Sequence, residues 1–311
     1  LAYGPLSSSR WGIKGKEDLG GGYGAFFALE SEVHNDTGYA GGNNKTGSGA
    51  GDVYWKRKSI IGMKIPAGKV SFGLNKTADK VLATKFDMIG SNFAGFKTMS
   101  DYIAIGDRID NGLFFESNKI GGLGGKFYFD HQFGEVAGES SGNTRTGVGA
   151  TFKVAGINGF VAYSEAKGST GSSDWDQYGF GLSYKTDNKI VIKAQYWDLS
   201  AESNADSTSG LGYSADGEGY SLSVMGPISK HTKIGLGFHS SEQSDNEAEK
   251  IEMTQLALLH SFSKKVTGYV MVGNLDNGTS ANHELHKKGF SSQPANGGDQ
   301  DGFAVGLRVK F

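Results

Sequence analysis

Few residues in this 311-residue chain have the type and spacing to make or break bonds. His239 beside Ser240 offers a base and a hydroxyl, but no carboxylate stands at a convincing spacing to orient the imidazole, so a hydrolytic triad is not assembled. His283, Glu284 and His286 share one stretch and could hold an adventitious metal ion, although a solvated loop is the simpler account. The glycine string G-G-L-G-G-K at 121–126 lacks the spacing and the following Ser or Thr of a phosphate-binding loop, and reads as a turn. Cysteine is absent, which removes thiolate metal sites, a cysteine nucleophile and a disulfide framework. The expectation is no enzyme, no catalytic residue, no metal and no cofactor.

What remains is fixed charge. From Asn75 to Asn111 the chain carries Lys76, Lys80, Lys85, Lys97 and Arg108 against Asp79, Asp87, Asp101, Asp107 and Asp110, five of each sign. Charges at this density act on a passing solute through their field, focused where low-dielectric walls surround them. By themselves they set no sign of selectivity. The formal net charge of -2 argues against a dedicated nucleic-acid binder, which carries a basic excess on one face. The acidic stretch 242–250 reads as an ordinary exposed loop.

The elements that would hold such charges are strands. In the closing stretch 301–311, Phe303, Val305, Leu307, Val309 and Phe311 share one parity, while Gly302, Ala304, Gly306, Arg308 and Lys310 share the other. In a strand those parities are opposite faces, one wholly apolar and one small or cationic. Lipid on one side and a watery lumen on the other demand that pattern. Fifty glycines, four prolines and no sustained helical period agree with many short strands joined by turns. No run of eighteen apolar residues is present, so no transmembrane helix is expected. A barrel strand crosses with about ten residues of which only every second is apolar, so the mean hydropathy of -0.37 is compatible with spanning.

The alternation recurs near 9–16, 23–33, 53–64, 70–74, 109–117, 124–133, 145–153, 157–166, 175–184, 188–198, 218–226, 232–240, 250–262, 265–274 and 301–311. Clear outward faces are Tyr178, Phe180, Leu182 and Tyr184, and Ile234, Leu236 and Phe238. Segments 251–262 and 266–274 carry apolar residues on both parities, which leaves their facing open. Short turns and long polar loops alternate along the chain, as in a meandering barrel with its turns on the periplasmic side. Residues 1–311 therefore read as a single all-β barrel domain of fifteen strands. Closed single-chain bacterial barrels use even numbers, so one further strand is expected. The opening at Leu1 has neither the charged region nor the apolar core of a leader, as expected of a mature or trimmed chain.

Three segments carry a family resemblance. S-R-W-G-I-K-G-K-E-D-L-G-G-G followed by A-F-F-A-L-E-S (9–31) resembles the second and third strands of the general porins of Gram-negative bacteria, particularly the β-proteobacterial type. D-R-I-D-N at 107–111 and V-G-L-R-V-K-F at 305–311 resemble, in the same order, the strand after the constriction loop and the closing strand. The resemblance implies a sixteen-stranded transmembrane antiparallel β-barrel, assembled as a homotrimer in the outer membrane, with the third loop (75–108) folded into a water-filled pore. It implies that a strand precedes the one at Ser9 and pairs with the last. Small hydrophilic solutes and ions would diffuse through passively, without nucleic acid as a partner. Lipid and lipopolysaccharide would surround the barrel, and the barrel-insertion machinery would read Phe311.

The basic pore wall implied by the family falls on Arg10, Lys14, Lys56, Lys58, Lys76 and Arg108, facing Asp79, Asp87, Asp101, Asp107 and Asp110 of the loop. Two family arginines are replaced, one by Leu74 and one by Phe114; Lys76 stands near the first. A weaker transverse field and a modest anion preference are expected. Two other readings remain open. One is a substrate-preferring channel with Phe26, Phe96, Tyr102 and Phe114 as an apolar track. The other is an occluded structural or adhesive barrel acting through loops 35–51, 199–217 and 275–300.

Overall fold

A computed structural model describes residues 4–35, 38–40, 54–90, 92–96, 103, 108–134, 144–168, 174–201, 216–243, 246–286 and 294–311. The first strands are β1 (Arg10–Gly20), β2 (Tyr23–His34), the two-residue β3 (Tyr39–Ala40), β4 (Lys58–Ile65) and β5 (Gly68–Lys76). After the helix α1 (Ala78–Phe86) come β6 (Arg108–Ser117), β7 (Phe127–Gln132), β8 (Thr144–Val154), β9 (Ile157–Lys167) and β10 (Trp175–Lys185). The chain closes with β11 (Val191–Ala201), β12 (Gly217–Pro227), β13 (Thr232–Gln243), β14 (Asn246–Ser261), β15 (Val266–Asn277) and β16 (Gln300–Val309).

All strands except β3 join one continuous sheet in which each pairs antiparallel with its chain neighbours; β3 pairs with β2 alone. The fifteen strands expected from alternation are therefore the fifteen of the sheet. β1 and β16 are its edges and do not pair with each other among the described residues. One boundary is corrected. The alternation suggested a strand from Val53, but β4 starts at Lys58 and residues 54–57 form a turn.

The two faces follow from the period-2 pattern. Ile61 is 69% exposed while its neighbour Ile60 is 8% exposed, and Phe303 is 76% exposed while Ala304 is 6% exposed. A row of Phe, Leu, Ile, Val and Tyr thus covers the outside, including Phe180, Leu182, Leu222, Leu236 and Val272. Where this apolar band stops is set by charge. Glu165, Asp176, Asp198 and Glu218 share the outward parity, each just beyond a tyrosine, and a carboxylate is costly in hydrocarbon. Tyr196 Oη donates to Asp198 Oδ2 (3.0 Å) and Glu218 Oε2 (2.7 Å), and Tyr163 Oη donates to Glu165 Oε2 at 3.4 Å. The tyrosines mark the aromatic girdle and the carboxylates lie outside the bilayer core. Leu236 sits well inside that band on β13. Leu236→Arg is expected to cost about 2–4 kcal/mol, the depth-dependent penalty of a cation on the lipid face. Unfolding in lipid vesicles measures it.

The inner face differs between the two halves of the sheet. From β1 to β8 it is mostly polar, cationic or small, with Phe26, Ile60, Phe114 and Tyr128 as exceptions, whereas from β9 to β15 it carries Phe160, Trp197, Leu199, Ile251, Met253, Met271 and Leu275, all buried. A wet lumen cannot keep that many large apolar side chains dry. Something must cover them, and for most of them the β5–β6 and β15–β16 connections do, through Leu82, Phe86, Phe93, Ala94, Ala281 and Leu285.

Candidate functional site

The β5–β6 connection turns inward at Thr77. Its side chain accepts from Lys80 N at 3.3 Å and caps α1, with Asp79 in the first turn and Lys85 in the last, each at the helix end its charge suits. Leu82 and Phe86, one turn apart, form the buried face of the helix. The Phe86 and Phe160 rings lie 4.6 Å apart, with Trp197 stacked beyond at 5.5 Å. Gln195 Nε2 donates to Ala83 O (3.3 Å) and Lys193 Nζ to Lys85 O (2.8 Å), which satisfies carbonyls at the helix end. Partial burial and the nearby Lys126 push the Lys85 ammonium below the usual lysine range, with Glu116 opposing. Lys126 is raised instead, because it bonds to Glu116.

An ion cluster fixes the start of the helix. Arg145 on β8 pairs with Asp79 at 2.5 Å and also with Asp130 on β7, with the three side chains at most 3% exposed. Ser164 Oγ donates to Asp79 Oδ2 (3.0 Å), and Ala78 N donates to Asp130 Oδ1 (2.5 Å). The carboxylate oxygens of the cluster are thereby met, whereas Arg145 Nε has no partner among the described residues, so the desolvation of the three charges is only partly offset.

Farther along, the loop reaches the opposite side of the lumen. Ala94 N donates to Leu285 O at 2.9 Å, Gln255 Nε2 donates to Phe93 O, and Phe96 lies 6.0 Å from the His239 ring. Its seats are glycines on the inward parity. A Cβ at Gly149 would meet Leu82 Cδ1 at 2.4 Å, one at Gly219 would meet Ile103 Cδ1 at 2.9 Å, and one at Gly273 would meet Ala94 Cβ at 2.5 Å. Gly273→Val, although favourable to a strand by propensity, is expected to overpack this seat by about 1–3 kcal/mol. Its readout is a lowered melting temperature with altered single-channel conductance.

Against this lined half stands the cationic wall of β1 to β6. Arg57 is the organising residue: its Nε lies 2.7 Å from Glu30 Oε1 and its Nη1 3.5 Å from Glu32 Oε2, while its carbonyl accepts from Arg108 Nε at 2.6 Å. Arg10 reaches Glu30 at 3.9 Å. Lys58 and Lys76 line a cavity below this group, and Lys14 takes the inward parity of β1 opposite Ala28. Lys56 sits in the turn before β4 and is exposed. Alternation did not single out Arg57, because a strand running from Val53 would turn residue 57 outward.

The carboxylates sort differently from the expectation of a row facing that wall. Asp79 points at Arg145 on β8, away from Arg10 and Arg108. Asp87 is buried at the helix end and accepts from Gly90 N at 3.0 Å. Asp110 on β6 accepts from Gln132 Nε2 at 2.9 Å. Asp101, Asp107 and Tyr102 lie outside the described residues. Arg145 carried a readable signal, a cation on the same parity of β8 as the inward glycines 147 and 149. His286 also needs correction. It is 1% exposed and bridges Phe93 within the barrel, so this part of the β15–β16 connection is not a solvated loop. Phe311, beyond β16, is fully exposed on the outward parity.

A sequence profile described as Gram-negative porin matches residues 3–280. Outer membrane porin protein 32 of Delftia acidovorans is 25% identical over 326 residues, covering 98% of this chain and 85% of that protein. Among solved structures, an anion-selective porin from Comamonas acidovorans superposes with a TM-score of 0.81 at 22% identity, covering 100% of this chain and 92% of that one. OmpT of Vibrio cholerae, in-vitro folded in a trimer form, superposes with a TM-score of 0.67 at 15% identity, covering 97% and 91%.

Proposed function

The chain belongs to the Gram-negative porin family, and from that premise we propose that solutes pass through the strip of lumen between α1 and the wall formed by β1 to β6. The protein is an outer-membrane channel for passive diffusion of small hydrophilic solutes and ions. The observation that carries the finer reading is the segregation of charge. Arg10, Arg57, Lys58, Lys76 and Arg108 gather on one wall, while the loop carboxylates Asp79 and Asp87 are engaged on the other side. The passage therefore has a net positive side, and low-dielectric walls focus its field.

Glu30 and Glu32 neutralise part of that wall, so the preference for anions is modest. The solved relative with the similar fold is described as anion-selective, which agrees in sign. Purified protein in planar bilayers under a potassium chloride gradient is expected to show a reversal potential on the anion side. A cation-side potential would overturn the assignment of the basic wall, and absence of conductance would favour an occluded adhesive barrel.

The functional unit we infer is a homotrimer. The apolar outer face can seat lipid or a neighbouring copy, and a structural relative is described in a trimer form. Lipopolysaccharide outside the tyrosine girdle and the insertion machinery at Phe311 are the other partners of this reading. The reading assigns no catalytic role to any residue.

A further inference from the structure

Between α1 and the inner faces of β2 to β7 lies a cavity of about 200 Å³ whose lining is not that of a simple aqueous passage. Phe26, Gly62, Ser71 and Phe114 stand opposite one another across four neighbouring strands, so two aromatic residues flank two small ones in a single row, with the Phe114 ring turned toward Gly112, where a Cβ would meet its Cε2 at 2.7 Å. The Phe26 ring leans over Gly62, where a Cβ would meet its Cζ at 2.6 Å. Ile60 and Val81 complete the apolar middle. Two residues toward the short turns, about 7 Å along the strands, the next row places Lys64, Lys69, Glu116 and Tyr128 side by side. Lys58 and Lys76 line the cavity at its loop end.

Charge and shape narrow the occupant. Glu116 is the carboxylate in the lining, and it is bonded to Lys126. Lys58, Lys69 and Lys76 therefore leave the cavity cationic at both ends of an aromatic waist. A cavity of about 150 Å³ lined by apolar groups holds benzene, so the volume here suits one six-membered ring with a small charged substituent. An inorganic anion would gain nothing from the two rings, and a neutral arene would gain only a cation–π attraction from the three lysines, without the charge pairing that a carboxylate adds.

We propose that this cavity is a subsite for aromatic carboxylates of benzoate size, with the ring between Phe26 and Phe114 and the carboxylate on Lys69 or on Lys58 and Lys76. The proposal rests on the channel reading above and names a solute class for it. The ring is held by offset or edge contacts, and the carboxylate by ammonium groups that also flank the aromatic faces.

The test uses the full chain in planar bilayers, with chloride current titrated by benzoate, acetate and benzamide. Saturable block by benzoate is expected at a half-blocking concentration at least tenfold below that of acetate, with no block by benzamide. Phe114→Leu should raise the half-blocking benzoate concentration about three- to tenfold, as loss of one ring contact predicts. Lys69→Gln should raise it as well. Should Phe114→Leu fail to refold, Phe26→Leu reads the same contact from the other wall. Equal block by benzoate and acetate, or an unchanged half-block in these variants, would overturn the subsite. Failure of the untreated protein to conduct at all would overturn the channel reading on which it rests.

Discussion

Arg145→Ala is expected to lower stability by about 3–5 kcal/mol, the cost of leaving buried charge without its partner. Arg145 is 1% exposed and is the cation that pairs with both Asp79 and Asp130. Its loss leaves two carboxylates facing each other in the barrel interior with only Ser164 and the Ala78 amide to meet them. The functional effect should exceed the thermodynamic one. Asp79 and Ala78 begin α1, so the cluster is what ties the inward loop to β7 and β8. Released there, the helix can leave its seat on Gly149 and Phe160. Single-channel recordings should then show large current fluctuations where the native protein is quiet. Asp79→Leu combined with Asp130→Leu and Arg145→Met, which replaces the whole cluster by apolar groups, is expected to be far milder, because no unpaired charge remains. If Arg145→Ala were as stable and as quiet as the native protein, the cluster would not anchor the loop.

The second large effect belongs to the basic wall. Arg57→Gln together with Arg108→Gln should move the reversal potential from the anion side most of the way to zero. Two cations disappear, and Glu30 and Glu32 lose the guanidinium that neutralises them. A unit charge at 4 Å in water is worth about 1 kcal/mol, so each neutralisation changes the local preference for one ion sign by about fivefold. The shift should be large at about 0.1 M salt, where the screening length is about 10 Å, and small at about 1 M, where it is about 3 Å. Lys56→Gln is the useful contrast. That residue is exposed in the turn before β4, and its replacement should leave selectivity nearly unchanged. A reversal potential indifferent to Arg57 and Arg108 would place the selective point elsewhere in the lumen.

These two predictions draw on residues of unequal legibility. Arg10 was readable because it sits on the inward parity of a segment with strong alternation, and Arg108 because the family resemblance places it at the end of the loop. Arg57 was not, because its side chain is aimed by a turn. Arg145 stood in plain sight as a cation among glycines, yet its value depends on Asp79, 66 residues away in sequence. The expectation that Asp79 would face the Arg10 wall came from the loop's position alone. Which wall a loop carboxylate faces depends on how the loop packs, and that in turn depends on Leu82 and Phe86 finding Gly149 and Phe160.

By itself the sequence determined the outer half of this protein. A strand between lipid and lumen must alternate, so Phe303 to Phe311, Tyr178 to Tyr184 and Ile234 to Phe238 name their own faces, and the strand count follows from the same local rule. The inner half was decided by tertiary structure. Ile251, Met253, Leu275 and Met271 broke the alternation of β14 and β15 because the inward face there is covered by Phe93 and Ala94 from the distant β5–β6 connection and by Leu285 from the β15–β16 connection. Glycines 149, 219 and 273 looked like generic strand glycines until the loop occupied the space that their missing side chains leave. The physical reason is range. Lipid exposure acts on every second residue of a single strand, whereas the pore is shaped by contacts between residues a hundred or more positions apart, such as Gln255 with Phe93 and Lys193 with Lys85.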